Sequence, residues 1–282
     1  MSIKIYKCLF SNLLLYCLLC NGCQISTEKK PSSTIPSMPI QPLPSPVETE
    51  QTPAQTNTDV WDVSNIDLSK ISKPKRIAFT FDDSPSRTLE NILAVYASYN
   101  ESHPDCPATA TVFYNGKYIN AQSPPLLAAA YAMGFELGNH THSHRDLTTL
   151  TEEELRWEID ATDELLCTID DKKRHLLRAP FGKINDTVKS LTPAPLIDWT
   201  IDTLDWTGRS EDEIYRSVME NKFSGAIVLM HDGYLNTVSA LKRLLPDLEA
   251  EGYQVVSVSQ LAKMHNCTLQ KGKVYIRARP QE

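Results

Sequence analysis

Five short segments collect the residue types that acid–base and metal chemistry require. Phe79-Thr80-Phe81-Asp82-Asp83-Ser84-Pro85 places adjacent carboxylates where an apolar run ends. Alone, such a pair reads more readily as a turn or helix cap, which Asp and Ser both favour. As a functional pair it divides labour, one carboxylate on a metal and its neighbour free as a base. Gly138-Asn139-His140-Thr141-His142-Ser143-His144 holds three of the chain's seven histidines within five residues. His140 and His144, four apart, can reach one cation from one side of a turn, whereas His142 between them points away as a bystander. Two imidazoles and one carboxylate, with open positions for water, are the ligand set of catalytic zinc and of Fe(II) oxygenases alike. Arg178-Ala179-Pro180-Phe181-Gly182 ends a run in a stiff turn, read either as a structural turn with a surface Arg or as one that gives Arg178 a carboxylate to hold and leaves a backbone N–H free to face substrate. Asp202-Thr203-Leu204-Asp205-Trp206 and Leu229-Met230-His231-Asp232 are weak alone. Yet a His beside a buried Asp is a candidate general acid with a raised pKa.

The elements that must position these residues alternate. Short β-branched and aromatic runs predict strands at 77–81, 109–114, 135–138, 176–178, 197–201, 226–230 and 254–258. Amphipathic spacing predicts helices at 87–99, 124–133, 151–167, 211–221 and 237–251. Thr151 and Glu154 form a capping-box signal, and Pro246 predicts a kink or an early break in the last helix. Strands alternating with helices imply parallel pairing in an α/β fold, either a closed or nearly closed barrel or a doubly wound open sheet. In either, the C-terminal strand ends share one face. Each of the five segments falls at such an end, a coincidence that points to one assembled site.

Composition narrows the function classes. The 282 residues carry 28 Lys+Arg against 35 Asp+Glu, a net charge of −7, which argues against binding duplex nucleic acid. No apolar run approaches the ~20 residues of a membrane-spanning helix. Seven cysteines are too few for a disulfide scaffold, and the sequence does not say how Cys106, Cys167 and Cys267 are paired. Residues 1–23, with Lys4 and Lys7 ahead of an apolar stretch from Leu9 to Cys20, have the pattern of an export signal. Cys20-Asn21-Gly22-Cys23 resembles a lipoprotein cleavage site, with Cys23 or Cys20 as the lipidated residue. Residues 24–60 hold seven of the eighteen prolines and read as an extended tether, reaching ~100 Å at ~3.1 Å per residue. The catalytic domain is expected at 61–282, and the protein in the cell envelope or outside the cell.

Taken in order, the five segments resemble the motifs of the polysaccharide deacetylases, carbohydrate esterase family 4, the NodB homology domain. The resemblance covers about residues 75–265. Ser84 stands where the family usually has Gly, Ala179 replaces a common Pro and Phe181 a common Tyr. The resemblance implies a distorted, incompletely closed (β/α)7-8 barrel. It implies that Asp83, His140 and His144 bind one divalent metal, most often zinc, with Co2+, Ni2+ or Mn2+ as alternatives. Asp82 would be the base for the attacking water, held ionised by Arg178. The Phe181 N–H would face the oxyanion, and His231, oriented by Asp205, would protonate the leaving amine. Trp206 and Leu229 would wall the acetyl pocket. The implied substrate is an N-acetylated glycan such as peptidoglycan, poly-N-acetylglucosamine or a chitin-like polymer, and the product is acetate. Competing expectations are a hydrolase of small amides or imides, or of O-acetyl esters, on the same fold, and a non-catalytic glycan-binding envelope protein. No protein partner is implied, and membrane contact only through the N-terminal lipid.

Overall fold

The computed structural model describes residues 59–279, so the predicted export signal, the lipid site and nearly all of the tether lie outside the described residues. Strand β1 (Lys75–Ser84) is central. Its residues Ile77, Ala78, Phe79 and Phe81 are fully buried, as expected of a parallel strand covered on both faces. Strand β7 (Tyr253–Val256) runs beside its first half and β2 (Thr111–Tyr114) beside its second, while β6 (Ile227–His231) pairs along Ala78–Asp82. β3 (Glu136–Asn139) extends the sheet beyond β2, and β5 (Ile201–Asp202) beyond β6. A bridge from Asn139 through Leu177 to Leu196 carries the curvature on to β4 (Leu196–Ile197), which pairs with β8 (Val274–Tyr275). Every pairing between named strands is parallel. The sheet curls without closing, which selects the distorted barrel over the doubly wound sheet.

Helix α1 (Leu89–Ser102) buries Leu89, Ile92, Leu93, Tyr96 and Tyr99, the stripe that 3.6-residue periodicity places on one face. Tyr96 meets Phe81 and Phe135 edge-on at 6.3 and 4.8 Å, tying the helix to the strand that carries the paired aspartates. Helix α2 (Pro124–Ala132) precedes β3. Helix α3 (Glu152–Asp170) opens with the expected capping box of Thr151 and Glu154. Helix α4 (Asp186–Leu191) is short and capped by Asn185. Helix α5 (Glu211–Asn221) has a second capping box, Ser210 with Glu213. Helix α6 (Leu235–Ala250) continues through Pro246, against the expectation of an early break. Leu241, Leu244, Leu245 and Leu248 are all buried there, and that packing offsets the one backbone hydrogen bond a proline removes. Helix α7 (Val258–Met264) begins where the predicted last strand was to end, because Ser257 and Gln260 form a third capping box. Cys106, Cys167 and Cys267 are free thiols. Among the described residues no helix is long and apolar enough to cross a membrane.

The predicted strand 197–201 divides into β4 and β5. The backbone between them turns toward Arg178, whose Nε donates to the Ile197 carbonyl at 3.0 Å and Nη2 to the Asp198 carbonyl at 3.2 Å. Those carbonyls serve a buried guanidinium instead of a neighbouring strand. The predicted strand 176–178 is likewise reduced to the bridging Leu177.

Candidate active site

Register explains why the predicted residues meet. In the β1–β6 pairing, Asp82 lies directly opposite His231. The β2–β3 pairing brings Asn139 beside Tyr114, and the His140 N–H donates to the Tyr114 carbonyl at 2.9 Å. The Arg178 N–H donates to the Asn139 carbonyl at 2.9 Å, which sets the third segment beside the second. Four segments thereby reach one rim of the sheet through backbone bonds alone.

Side chains complete the site. His144 Nε2 stands 3.5 Å and His140 Nε2 3.8 Å from Asp83 Oδ1. One ligand atom from each of these three residues lies within 4.8 Å of the others. His140 Nδ1 is 2.8 Å from the Arg178 carbonyl, a contact that requires the proton on Nδ1 and turns a lone pair on Nε2 toward Asp83. Burial, and then the neighbouring His140, hold the His144 pKa below its usual value, which favours the neutral, ligating imidazole. Nitrogen and oxygen donors presented this way fit a divalent cation. His142 turns to α3 instead, its ring edge-on to Trp157 at 4.7 Å, so it stands apart from the trio.

Asp82 and Arg178 are only 3% and 1% exposed. Burial alone would raise the Asp82 pKa. The Arg178 guanidinium, with help from His140 and His231, outweighs burial and holds it below the usual aspartate value. Arg178 Nη1 donates to Asp82 Oδ1 at 2.9 Å and to Thr80 Oγ1 at 2.6 Å, and the guanidinium lies 4.3 Å over the Phe113 ring. A Cβ at Gly138 would sit 2.5 Å from that ring, so this glycine permits the close approach of β3. Across the rim, His231 Nδ1 is 2.8 Å from Asp205 Oδ1. Asp205 also accepts from the His231 and Trp206 N–H groups and from the Thr237 hydroxyl, which fixes its orientation. Burial would lower the His231 pKa, but its hydrogen bond to Asp205 and the charge of Asp82 raise it above the ordinary value.

Phe181 meets His144 edge-on at 4.7 Å and is 62% exposed. Trp206, 54% exposed, follows Asp205 in its turn, and Leu229 is buried in β6 opposite Thr80. Trp206 meets the cluster through its N–H, which donates to Asp205, and Leu229 lies two residues before His231 on the same strand. Asp83, Thr141, His144, Phe181 and Leu204 all adopt positive φ, five of the seven non-glycine residues that do so among the described residues. Such strain concentrates where a site over-determines the backbone.

Sequence reasoning passed over the supports behind this rim. Glu158 is fully buried on α3 and accepts from both the N–H and the hydroxyl of Ser143, holding the loop between the two ligand histidines. Asn139 donates to Asp163 at 2.9 Å and accepts from the Thr141 N–H at 2.8 Å. His175 is clamped between Asp163 and Asp170 at 2.9 and 3.1 Å. Asp232 is buried and accepts from Ser84 Oγ, the Ser86 N–H, Ser86 Oγ and Thr88 Oγ1 at 2.6–2.8 Å, which shapes the loop after β1. One signal was available: Glu158, Thr162 and Asp163 fall on the helical stripe of Leu155, Ile159 and Leu166, polar residues on a face that must be buried.

Comparison with known proteins agrees with this architecture. The sequence profile of the family described as "Polysaccharide deacetylase" matches residues 69–194. The peptidoglycan-N-acetylglucosamine deacetylase PgdA of Listeria monocytogenes is 30% identical over 210 residues, 74% of this chain and 43% of that protein. The solved structure of the peptidoglycan deacetylase PdaC from Bacillus subtilis is 33% identical, with a TM-score of 0.62 over 68% of this chain and 92% of that one. The chain spans less than half the length of full-length PgdA and PdaC, 43% and 39%. A peptidoglycan-N-acetylglucosamine deacetylase of Bacillus cereus is 33% identical over 220 residues, 72% of this chain and 92% of its own length. With likeness running along nearly the whole of that relative and the matched fold carried by the same parallel strands, this chain belongs to the polysaccharide deacetylase family.

Proposed function

We propose that this protein removes acetyl groups from an N-acetylated glycan of the cell wall, releasing acetate. The observation that carries the proposal is the pairing on adjacent strands of a buried Asp82 held by Arg178 with a His231 held by Asp205, beside the three-residue donor set of Asp83, His140 and His144. Asp83, His140 and His144 would hold a divalent cation, zinc by the character of the donors, and that ion would supply Lewis-acid polarisation.

The chain's own groups account for the rest. Asp82, kept ionised by Arg178, takes a proton from the attacking water. The backbone N–H of Phe181, held in its strained turn, donates to the developing oxyanion. His231 gives its Nε2 proton to the departing amine, while Asp205 keeps the ring oriented and charged. Trp206 and Leu229 bound the space for the acetyl methyl. The products are acetate and a free amino sugar.

Residues 1–23 serve as the export signal in this reading, 24–60 as the tether and 61–282 as the catalytic domain, with a lipid on Cys23 or Cys20 holding the protein at the envelope. The test is acetate release from N-acetylglucosamine oligomers, peptidoglycan and acetylxylan, before and after chelation and with single metals restored. Release from the amide substrates that is lost on chelation and restored by Zn2+ supports the proposal. Release from acetylxylan alone, or full activity after chelation, overturns it.

A further inference from the structure

Beside the cluster opens a cavity of about 430 Å³ that shares Asp83 and His144 with it. That volume lies within the ~300–1,000 Å³ range of pockets that take small molecules or single sugar units. Its far wall is built from the loop after β1, with Ser86 and Arg87, and the turn after β2, with Lys117 and Tyr118. Both cations are poised rather than consumed. Arg87 is exposed, and no carboxylate pairs with it among the described residues. Lys117 Nζ donates to the neutral Ser143 carbonyl at 3.0 Å and lies 4.6 Å over the Tyr118 ring, again with no carboxylate partner among the described residues. Elsewhere on the surface Arg145, Lys183 and Arg243 are matched by Glu154, Asp146 and Asp212. Other cations on the surface also lack a carboxylate partner, but these two line one wall of a cavity that opens onto the cluster.

The wall is also preorganised. Arg87 lies between Ser86 and Thr88, both bonded to the buried Asp232, and the Gly233 N–H donates to Thr88 Oγ1 at 2.6 Å. The Lys117 N–H donates to the His142 carbonyl at 2.9 Å, so its backbone moves with the histidine loop. Tyr118, 47% exposed, offers a ring face of the kind on which a sugar stacks. Asp83 is the cavity's acidic residue, and its oxygen faces the two histidines.

We propose that this cavity is a subsite for a carboxylate carried by the glycan next to the sugar being deacetylated, with Arg87 and Lys117 as its ligands. The preferred substrate is then an acidic strand, one whose alternate sugars bear a lactyl ether or a carboxylate-bearing peptide, rather than a neutral N-acetylglucosamine polymer. The inference rests on the glycan reading above and extends it to substrate choice.

The experiment uses the full-length protein and compares kcat/KM on four oligosaccharides of equal length: neutral N-acetylglucosamine, the lactyl-bearing alternating oligomer, its lactyl methyl ester, and the same oligomer with stem peptides. Wild type is expected to favour an acidic form over its neutral counterpart. That ratio should fall about tenfold or more in Arg87→Gln/Lys117→Gln, the size of a lost charge-assisted hydrogen bond, and only partly in Arg87→Lys. A preference confined to the peptide-bearing oligomer assigns the carboxylate to the peptide, and one shown by the lactyl acid over its ester assigns it to the ether. A wild-type ratio of one, or a ratio the double variant leaves unchanged, overturns the subsite. Should no oligomer release acetate, the deacetylase reading fails, and equilibrium titration with the acidic and esterified oligomers still decides the subsite. Tighter binding of the acid, weakened in the double variant, upholds it, and equal binding removes it.

Discussion

Asp82 and His231 face each other across one strand pair yet are driven to opposite ionisation, and the groups behind them do the driving. Arg178 and its neighbours depress the Asp82 pKa, so the base is ionised well into the acid range. Asp205 and Asp82 raise the His231 pKa against the opposing effect of burial, so the acid stays protonated to higher pH. Asp82→Asn should therefore lower kcat on the order of 10²–10⁴-fold, as loss of a general base does, without loss of metal from the purified protein. An Asp82→Asn protein that keeps wild-type turnover would remove this residue from the chemistry. The rate–pH profile should be bell-shaped, with its alkaline limb set by His231 and lying above the ordinary histidine value of 6.5. Asp205→Asn removes a negative partner of the imidazolium, so that limb should move to lower pH, and a limb that stays in place would break the pairing. These residue types were legible because each sits within a few positions of a strand end, where sequence alone places the working face. Their supports were not. Asn139 meets Asp163 across 24 positions, where α3 docks on the sheet, and Ser84 meets Asp232 across 148, where β1 pairs with β6.

At the scale of elements, buried charges staple the helices to the strands that carry the site. His175 joins α3 to the segment ending in Arg178, and it is wholly enclosed by Asp163 and Asp170, with Arg174 reaching Asp160 and Asp163 from outside. Burial would lower the His175 pKa, but hydrogen bonds to both aspartates raise it above 6.5. A raised folded-state pKa contributes stability that is full below the unfolded value and is lost as pH rises through the folded one. Unfolding free energy should therefore decline as pH climbs above about 6.5. His175→Ala should cost about 3–5 kcal/mol at neutral pH, because two carboxylates lose their buried partner, and should flatten that decline. Urea titrations of both proteins across pH check this, and parallel pH slopes would assign the dependence elsewhere. A second element-scale device is Asp232, which four donors of the β1–α1 loop and its own strand end converge on. Asp232→Ala should lower stability by about 1–3 kcal/mol, the cost of orphaned buried donors, visible as a lower denaturation midpoint at unchanged m-value. Ser84, the departure from the family's usual glycine, is one of those donors, which gives the hydroxyl a structural use. The strands were legible as short apolar and β-branched runs, buried on both faces, and the longer helices from apolar positions that repeat at 3.6 residues. The division of 197–201 was not, because Ile197-Asp198-Trp199-Thr200-Ile201 alternates apolar and polar residues as one strand would, and the break is imposed by Arg178, a residue from another segment.

At the scale of the whole molecule, the domain has a definable leading edge. Asp59 pairs with Lys271 at 2.6 Å, Val60 bridges Gln270, and the Trp61 N–H donates to the Leu269 carbonyl at 2.8 Å. Trp61 also packs on the cluster built by Ile197, Val256 and Leu261. The chain is therefore tied to the domain from Asp59 onward. Residues 24–58 have the composition expected of a tether, seven prolines among Ser, Thr, Gln and Glu. A protein beginning at Asp59 should keep the unfolding midpoint of the full chain and hydrolyse a soluble oligomer at the same kcat/KM, since the truncation removes no group of the site. On intact cell wall its rate should fall, because a tethered enzyme meets an insoluble polymer at an effective concentration set by anchor and spacer, which the released domain loses. Replacing Cys20 and Cys23 by Ser, singly and together, separates anchor from spacer. If the lipid reading holds, the variant lacking the lipidated cysteine leaves the membrane fraction and loses wall activity as the truncated protein does. Full-length protein found free in the medium, or equal rates on intact wall for the full and truncated chains, would show that the first 58 residues do not place the enzyme at its polymer.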